Sequence, residues 1–524
     1  MITKPKKDTN NTEKQERKIH MKKLLSVVIM VFLLVSMLCI NAFASTVSSD
    51  DVIRVYGLKE DDSTVFLNGY KKFEEGWEGA VDYAENHDYM DENGYKRIVV
   101  DLLADWVANK DGEFGDSWDD GFRYSTIYVP SDTRITINMN GHKIDRGLKE
   151  NELDGEVIFI NDEADIIING GKSGDPIVNA KTGENVGAVQ TGTITGGNSD
   201  NGAGGIRIQD GARVTLNNVN VVGNIADDDW GAGIGLSKGS TFIMNGGSIA
   251  DNICYTMFDA FGGGIYAENS TVKLDGVAIR NNQGTRRIVY GAAIYAADKC
   301  TVSMNNCKVI GNGTKDDSIG AKGSISVIEM LGGELSLTNT DFIGNGYSKT
   351  DYSYNVSLIN LRSGRPALSI DSCTFTENDT EYMLSIGATD ISVTKTQFTD
   401  NNANVLNCVN NDGTVFTDCV FNNNNNNDAK ESVDYHSFDF EDRTENVRFV
   451  RCDMGNSTYS DRSKANFADT DDTSGAGSIF GEGSLAMIVA FVALIASVAA
   501  IIVNFTSKKE KSPSGVIDPV ENDE

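Results

Sequence analysis

The sequence lacks a basic balance. Lysine and arginine number 46 against 76 acids, for a formal net charge of −30 and a pI near 4.5. No basic surface would draw a nucleic acid or an acidic polymer, so nucleic-acid partners are excluded and solubility outside a cell is the plain explanation. Histidine is scarce, with four in 524 residues. Cysteine is present without pattern. Of the eight, Cys39 lies in an N-terminal apolar run, and the seven others have no CxxC spacing, which argues against both a disulfide framework and a zinc site.

Long apolar runs occur at the two ends. Lys22 and Lys23 precede an apolar run from Leu24 to Ile40 that closes with Ala42-Phe43-Ala44, the order of a secretory signal cleaved after Ala44, with Met21 a second candidate start. A permanent N-terminal anchor is the alternative, and the small residues two apart favour cleavage. Near the other end, Leu485 to Val503 is uncharged and long enough to cross roughly 30 Å of hydrocarbon as a helix. Lys508, Lys509 and Lys511 follow, which places the last residues in the cytoplasm and everything between the two runs outside. The expected organisation is a signal peptide at 1–44, an N-terminal cap at 45–131, a repeat body at 132–457, a polar Asp/Ser/Thr/Gly spacer at 458–484, a transmembrane helix at 485–505 and a cytoplasmic tail at 506–524.

The body carries an internal repeat. Its recurring ending is VVGN, IADN, IRNN, VIGN, FIGN, FTEN, FTDN and FNNN, closing at Asn224, Asn252, Asn282, Asn312, Asn345, Asn378, Asn401 and Asn424. Successive anchors lie 28, 30, 30, 33, 33, 23 and 23 residues apart, so the fixed motif is geometric while loops absorb the difference, as stacked coils allow. The positions 10, 8, 5 and 3 before the anchors are mostly apolar, for example Val214, Leu216, Val219 and Val221, then Val272, Leu274, Val277 and Ile279. Two short runs of period 2 separated by a two-residue turn read as strand, bend, strand. A third strand about 18 residues before the anchor opens on glycine or small residues, as in Gly204-Gly205-Ile206 and Gly262-Gly263-Gly264-Ile265. Three strands per coil predict an all-β, parallel β-helix.

Stacking would set like positions about 4.8 Å apart, so the eight asparagines can form a ladder in which each amide bonds its neighbours. Cys307, Cys373 and Cys419 fall five before an anchor and read as buried small hydrophobes in alternate coils. In the last coil, Val447, Phe449 and Cys452 fit the inward register only if Ser457 takes the anchor place, which sets Cys452 next to Cys419. Those two could come close enough to bond, although parallel side-chain vectors disfavour it. Ile135, Ile137 and Met139 with Ile166 to Ile168 suggest degenerate coils. Phe73, Trp77, Val81 and Ala84 at helical spacing, then a strand over Ile98 to Trp106, suggest a small α/β cap over the open coil end.

These repeats resemble the right-handed β-helices of the pectin lyase-like class. GAAI at 291–294 and FTEN at 375–378 also resemble the GGAI and FxxN repeats of chlamydial polymorphic outer membrane proteins, over about 203–425. No C-terminal barrel can follow Asn424 in so few residues, and the lysine-flanked tail without LPxTG suggests a single-pass cell-membrane protein of a Gram-positive-like envelope.

The pectin lyase-like resemblance raises polysaccharide cleavage. Asn339-Thr340-Asp341, Asp316-Asp317 and Gly141-His142-Lys143 look like fragments of the NTD, DD and GHG motifs of inverting polygalacturonases, but in the wrong order. The outward residues of the glycine-led strands, Arg207, Gln209, Gly235, Ser237, Tyr266, Glu268, Tyr295 and Ala297, supply neither facing carboxylates nor a calcium cluster with a base. The loops after the anchors offer Asp227, Asp228, Asp229, Trp230, Tyr255 and Tyr290, with Tyr347, Tyr352 and Tyr354 further on. Together with Tyr266 and Tyr295 they would form an aromatic, partly acidic ridge. Sugar rings stack on aromatics and acids hold calcium, the one cofactor the sequence suggests. The plainer alternative is that these rings pack on one another. The expectation is a non-catalytic, adhesin-like surface protein that binds glycans or surface proteins. A polysaccharide lyase or hydrolase is the alternative, and a purely structural envelope spacer a third.

Overall fold

The computed structural model describes residues 48–468 except 109–121, 124–125, 149–154, 172–173, 179–184, 190–191, 201, 228–229, 256–258, 286–288, 317–320, 323, 348–355, 363–365, 388–390, 410–412, 425–437, 441–446 and 460–464. The expected signal, most of the spacer, the membrane helix at 485–505 and the tail lie outside the described residues. Among those described, no helix is long and apolar enough to cross a membrane.

The N-terminal part is a small mixed unit. Strand β1 (Ile53–Lys59) pairs antiparallel with both β2 (Thr64–Tyr70) and β3 (Tyr95–Leu102). Helices α1 (Phe73–Glu85) and α2 (His87–Asn93) connect β2 to β3. Phe73, Trp77, Ala80, Val81 and Ala84 form the buried stripe of α1. Helix α2 begins where the Asn86 side chain accepts from the Tyr89 N–H, and it ends on Gly94 at φ 64°, the left-handed turn glycine tolerates. The strand expected over Ile98 to Trp106 is two pieces, β3 and Trp106–Val107.

From β3 onward the chain pairs in parallel. β3 adds to Arg134–Asn138, and this strand to Asp165–Asn169, Arg213–Val222 and Thr241–Ala250, all in register. The series runs on through Thr271–Asp275, Thr301–Asn305, Glu334–Thr338, Ala367–Asp371, Ile391–Thr394, Thr414–Thr417, Val447–Val450 and Ala465–Ala468. A second sheet of 12 strands stacks the glycine-led segments Ile206–Ile208, Ile234–Leu236, Ile265–Glu268 and Ile294–Ala297, and continues through Ser326–Met330 and Ser357–Leu361. The architecture is therefore mostly β, with long stacked sheets of parallel strands, compatible with a β-helix.

Two details differ from expectation. The paired runs before Asn224 and Asn252 are single ten-residue strands, Arg213–Val222 and Thr241–Ala250, that turn without breaking at Asn218 (φ 51°) and at Gly246 and Gly247 (φ 68° and 82°). The segments after the anchors are not loops from the start. Ile225–Asp227, Ile253–Tyr255 and Gln283–Thr285 pair in parallel as a third sheet, because the chain leaving each anchor stays within reach of the previous repeat, as when the Ile253 N–H donates to Asn224 O at 2.9 Å.

The anchors form one column. Each Nδ2 donates to the Oδ1 of the next, at 3.1 Å from Asn224 to Asn252, 3.0 Å to Asn282, 2.9 Å to Asn312, 3.1 Å to Asn345, 3.0 Å to Asn378, 2.9 Å to Asn401 and 2.8 Å to Asn424. All eight are buried. The column explains the small residues before each glycine-led strand. A Cβ on Gly233 would stand 2.9 Å from Asn252 Nδ2, and one on Gly264 3.2 Å from Asn282 Nδ2. Beside the column, Phe342, Phe375, Phe398 and Phe421 stack at 4.7, 4.7 and 5.3 Å between ring centroids.

In the last repeat Val420 bridges Asp453, which sets Asn424 level with the buried Ser457 and Cys419 level with Cys452. Both cysteines are buried thiols. A hydrogen bond between the two thiols, together with burial, pushes the Cys419 thiol up.

Candidate binding surface

The second sheet positions the ridge residues. Its parallel register puts Tyr128, Phe159, Arg207, Gly235, Tyr266, Tyr295, Glu329, Asn360, Ser385 and Asn407 in one outward column. At Gly235 the absent side chain leaves room for Trp230, whose ring atoms lie 3.2 Å from where a Cβ would be. The ring of Trp230 packs on Tyr266 at 4.5 Å between centroids, and Tyr266 stacks on Tyr295 at 5.5 Å with planes 12° apart. Phe261 adds a second row, 4.8 Å from Tyr295 and 5.6 Å from Tyr290. The guanidinium of Arg362 then lies 4.8 Å above Tyr290.

The rings therefore spend much of their surface on one another. Tyr295 is buried, with 7% exposed, although its backbone position faces outward. Trp230, Tyr266 and Tyr290 are half-buried. Asp227 and Tyr255 are half-buried at the ends of their third-sheet strands. Asp228, Asp229, Tyr352 and Tyr354 lie outside the described residues. Tyr347 stands apart from the stack, with Lys315 Nζ 6.0 Å above its ring.

The ridge ends on a carboxylate that sequence reasoning missed. Glu329 follows Tyr295 in the column and is fully buried. Arg362 Nε donates to its Oε1, and Asn360 Nδ2 donates to Oε2 at 3.0 Å. Burial pushes the Glu329 carboxyl above its ordinary value of 4.5, against the opposing pull of Arg362. Burial likewise raises the phenol of Tyr295 to about 12 and that of Tyr266 further. The signal for Glu329 was available: its strand, Ser326–Met330, lacks the glycine lead of its predecessors and places an acid where the two strands before it place tyrosine.

A separate shallow groove runs beside the turns that follow the second-sheet strands. Glu268 and Asp298 line it with Lys238 and Lys299, over the backbone of Gly332 and Gly333. Lys238 is engaged with Asp210 at 3.0 Å. Among the described residues, no group of three or more His, Cys, Asp or Glu side chains is placed to hold a metal ion. His142, the histidine of the polygalacturonase-like fragment, pairs through Nδ1 with Asp105 at 3.1 Å, far along the chain from this groove.

Comparison with protein-family models, with curated proteins and with solved structures finds no match.

Proposed function

We propose that the chain is a right-handed parallel β-helix of the pectin lyase-like kind, exported by the 1–44 signal and held on the cell membrane by the 485–505 helix. Its function is that of a non-catalytic, adhesin-like surface protein for glycans or surface proteins. The observation that carries this reading is the outward column itself. Stacked rings end on Glu329, whose oxygens are both engaged by Arg362 and Asn360 inside the fold. A carboxylate held in this way braces a surface and has no open face toward a glycosidic bond. The half-buried rings of Trp230, Tyr266 and Tyr290 are held by their neighbours, so little side-chain freedom is lost when a sugar ring settles on them. Calcium, if it takes part, would be held by the acids around Asp227.

Retention of the purified full-length chain on a glycan array tests the ridge. Trp230→Ala and Tyr290→Ala should each lower retention at least tenfold on the glycans that bind. Unchanged retention would remove this surface from the account.

One observation favours the second reading, a lyase or hydrolase: the groove brings Glu268 and Asp298 together with Lys238 and Lys299. Under that reading Glu268→Gln and Asp298→Asn abolish turnover of a polysaccharide that the unaltered chain cleaves.

A further inference from the structure

The pairings leave one strand at the head of the whole first sheet. β2 pairs with β1, β1 with β3, and β3 with the parallel series, so β2 is its terminal edge, and among the described residues nothing pairs with its outer side. Edge strands are normally blunted by charge or proline, yet Thr64-Val65-Phe66-Leu67-Asn68-Gly69-Tyr70 contains neither. Its one irregularity is a shift of register against β1 around Leu67. Phe66 is 37% exposed, and only it and Val107 are large exposed hydrophobics among the described residues. The strand is bracketed by opposite charges, with Glu60, Asp61 and Asp62 before it and Lys71 and Lys72 after it.

We propose that β2 is a self-association edge, pairing antiparallel with β2 of a second copy about a two-fold axis through Phe66. The charge pattern selects this occupant and this direction. Antiparallel pairing centred on Phe66 brings the acidic turn before β2, Glu60 to Asp62, of each copy toward Lys71 and Lys72 of the other, twice per dimer, whereas parallel pairing would bring like charges together. The two Phe66 rings face each other across the axis, at the roughly 5 Å spacing of directly opposed residues. The lysines already have partners in their own chain, Lys71 with Asp50 at 3.4 Å and Lys72 with Glu75 at 2.8 Å. Those pairs are solvent-exposed and worth little, so exchanging them across the axis costs little. The charges thus set register and direction, while backbone pairing and Phe66 supply the attraction. The pairing joins two chains at the ends opposite their last repeats. On a chain anchored at its C-terminus, as proposed above, it would be a head-to-head, homophilic contact, although the pairing itself does not depend on the anchor.

Sedimentation velocity of the purified full-length chain over a hundredfold concentration range tests this, with hydrogen exchange followed at both extremes. The expected result is a monomer–dimer equilibrium, with amides of residues 64–68 more protected at the high concentration. Lys71→Glu with Lys72→Glu should weaken the dimer at least tenfold. Adding Glu60→Lys, Asp61→Lys and Asp62→Lys to the same chain should restore it. All five positions are on the surface, but Asp61 accepts from the Ser63 N–H at 3.0 Å and Asp62 pairs with Lys96 at 2.6 Å, so circular dichroism of each variant is recorded alongside to show that it is folded. A monomer at every concentration would overturn the proposal, including one whose β2 amides are protected throughout because another part of the chain covers them. A dimer indifferent to the lysine reversal would also overturn it.

Discussion

Asn282 accepts twice from Asn252, from its backbone N–H at 3.2 Å and from its side-chain Nδ2 at 3.0 Å. The same amide donates twice, to Asn312 Oδ1 at 2.9 Å and to Ile249 O at 3.0 Å. Both donors and both lone pairs are used, which is all an asparagine side chain can offer. Replacing it cannot be neutral, because each vacated partner is buried.

Asn282→Ala should therefore destabilise the chain by about 3 kcal/mol or more, from several buried groups left unpaired at roughly 1–3 kcal/mol each. Asn245 offers the control. It belongs to an exposed outer ladder in which Asn245 Nδ2 donates to Asn217 Oδ1 at 2.8 Å and Asn217 Nδ2 to Asn169 Oδ1 at 2.8 Å. Asn245→Ala should stay within about 0.5 kcal/mol, as exposed substitutions do. Urea denaturation of the two variants measures the contrast.

Gly264→Ala should cost about 2 kcal/mol or more. The added Cβ would meet Ala293 O at 2.6 Å and the amide of Asn282 at 3.2 Å, neither of which can retreat without breaking the ladder. Gly387→Ala, where the nearest atom is Leu361 O at 3.2 Å, should cost clearly less. The difference in denaturation midpoint between the two variants is the readout.

Glu329 predicts a pH dependence. Its folded carboxyl binds its proton more tightly than the unfolded one, so between the ordinary value of 4.5 and the raised folded value the native state holds more protons. That contribution to stability is fully present below about 4.5 and is lost as pH rises through the folded value. Glu329→Gln removes the titration. The stability of the unaltered chain relative to this variant should fall from acid to neutral pH in paired urea titrations. A relative stability that rises instead would mean that Arg362 outweighs burial.

Tyr266 sits between Trp230 and Tyr295, so Tyr266→Ala should cost about 2–4 kcal/mol through lost burial and two ring contacts. A variant that keeps its full stability but loses glycan retention would assign the ring to binding alone.

Much of the repeat was legible because a parallel stack writes the same local physics into every turn. The anchor asparagines, the apolar places before them, the glycine leads and the displaced last anchor at Ser457 each follow from spacing. β1 and β2 were not legible: they form once in the chain and are stabilised by each other and by α1. The outer ladder from Asp101 through Asn138 to Asn245 was missed although its members Asn217 and Asn245 fall seven residues before anchors, because asparagine near a turn needs no partner to be explained. The aromatic residues were visible, but their mutual stacking was not. It depends on Gly235 leaving room for Trp230 and on Arg362, which reaches Tyr290 from another repeat.

The most direct test of a non-catalytic surface is to incubate the purified full-length chain with pectins, alginates and glycosaminoglycans, following ultraviolet absorbance from unsaturated products and the appearance of new reducing ends. The account predicts neither signal above that of a heat-denatured control, beside retention of the chain on at least one glycan of the array. Turnover of any of these polymers, lost in Glu268→Gln or Asp298→Asn, would contradict it and make the groove an active site.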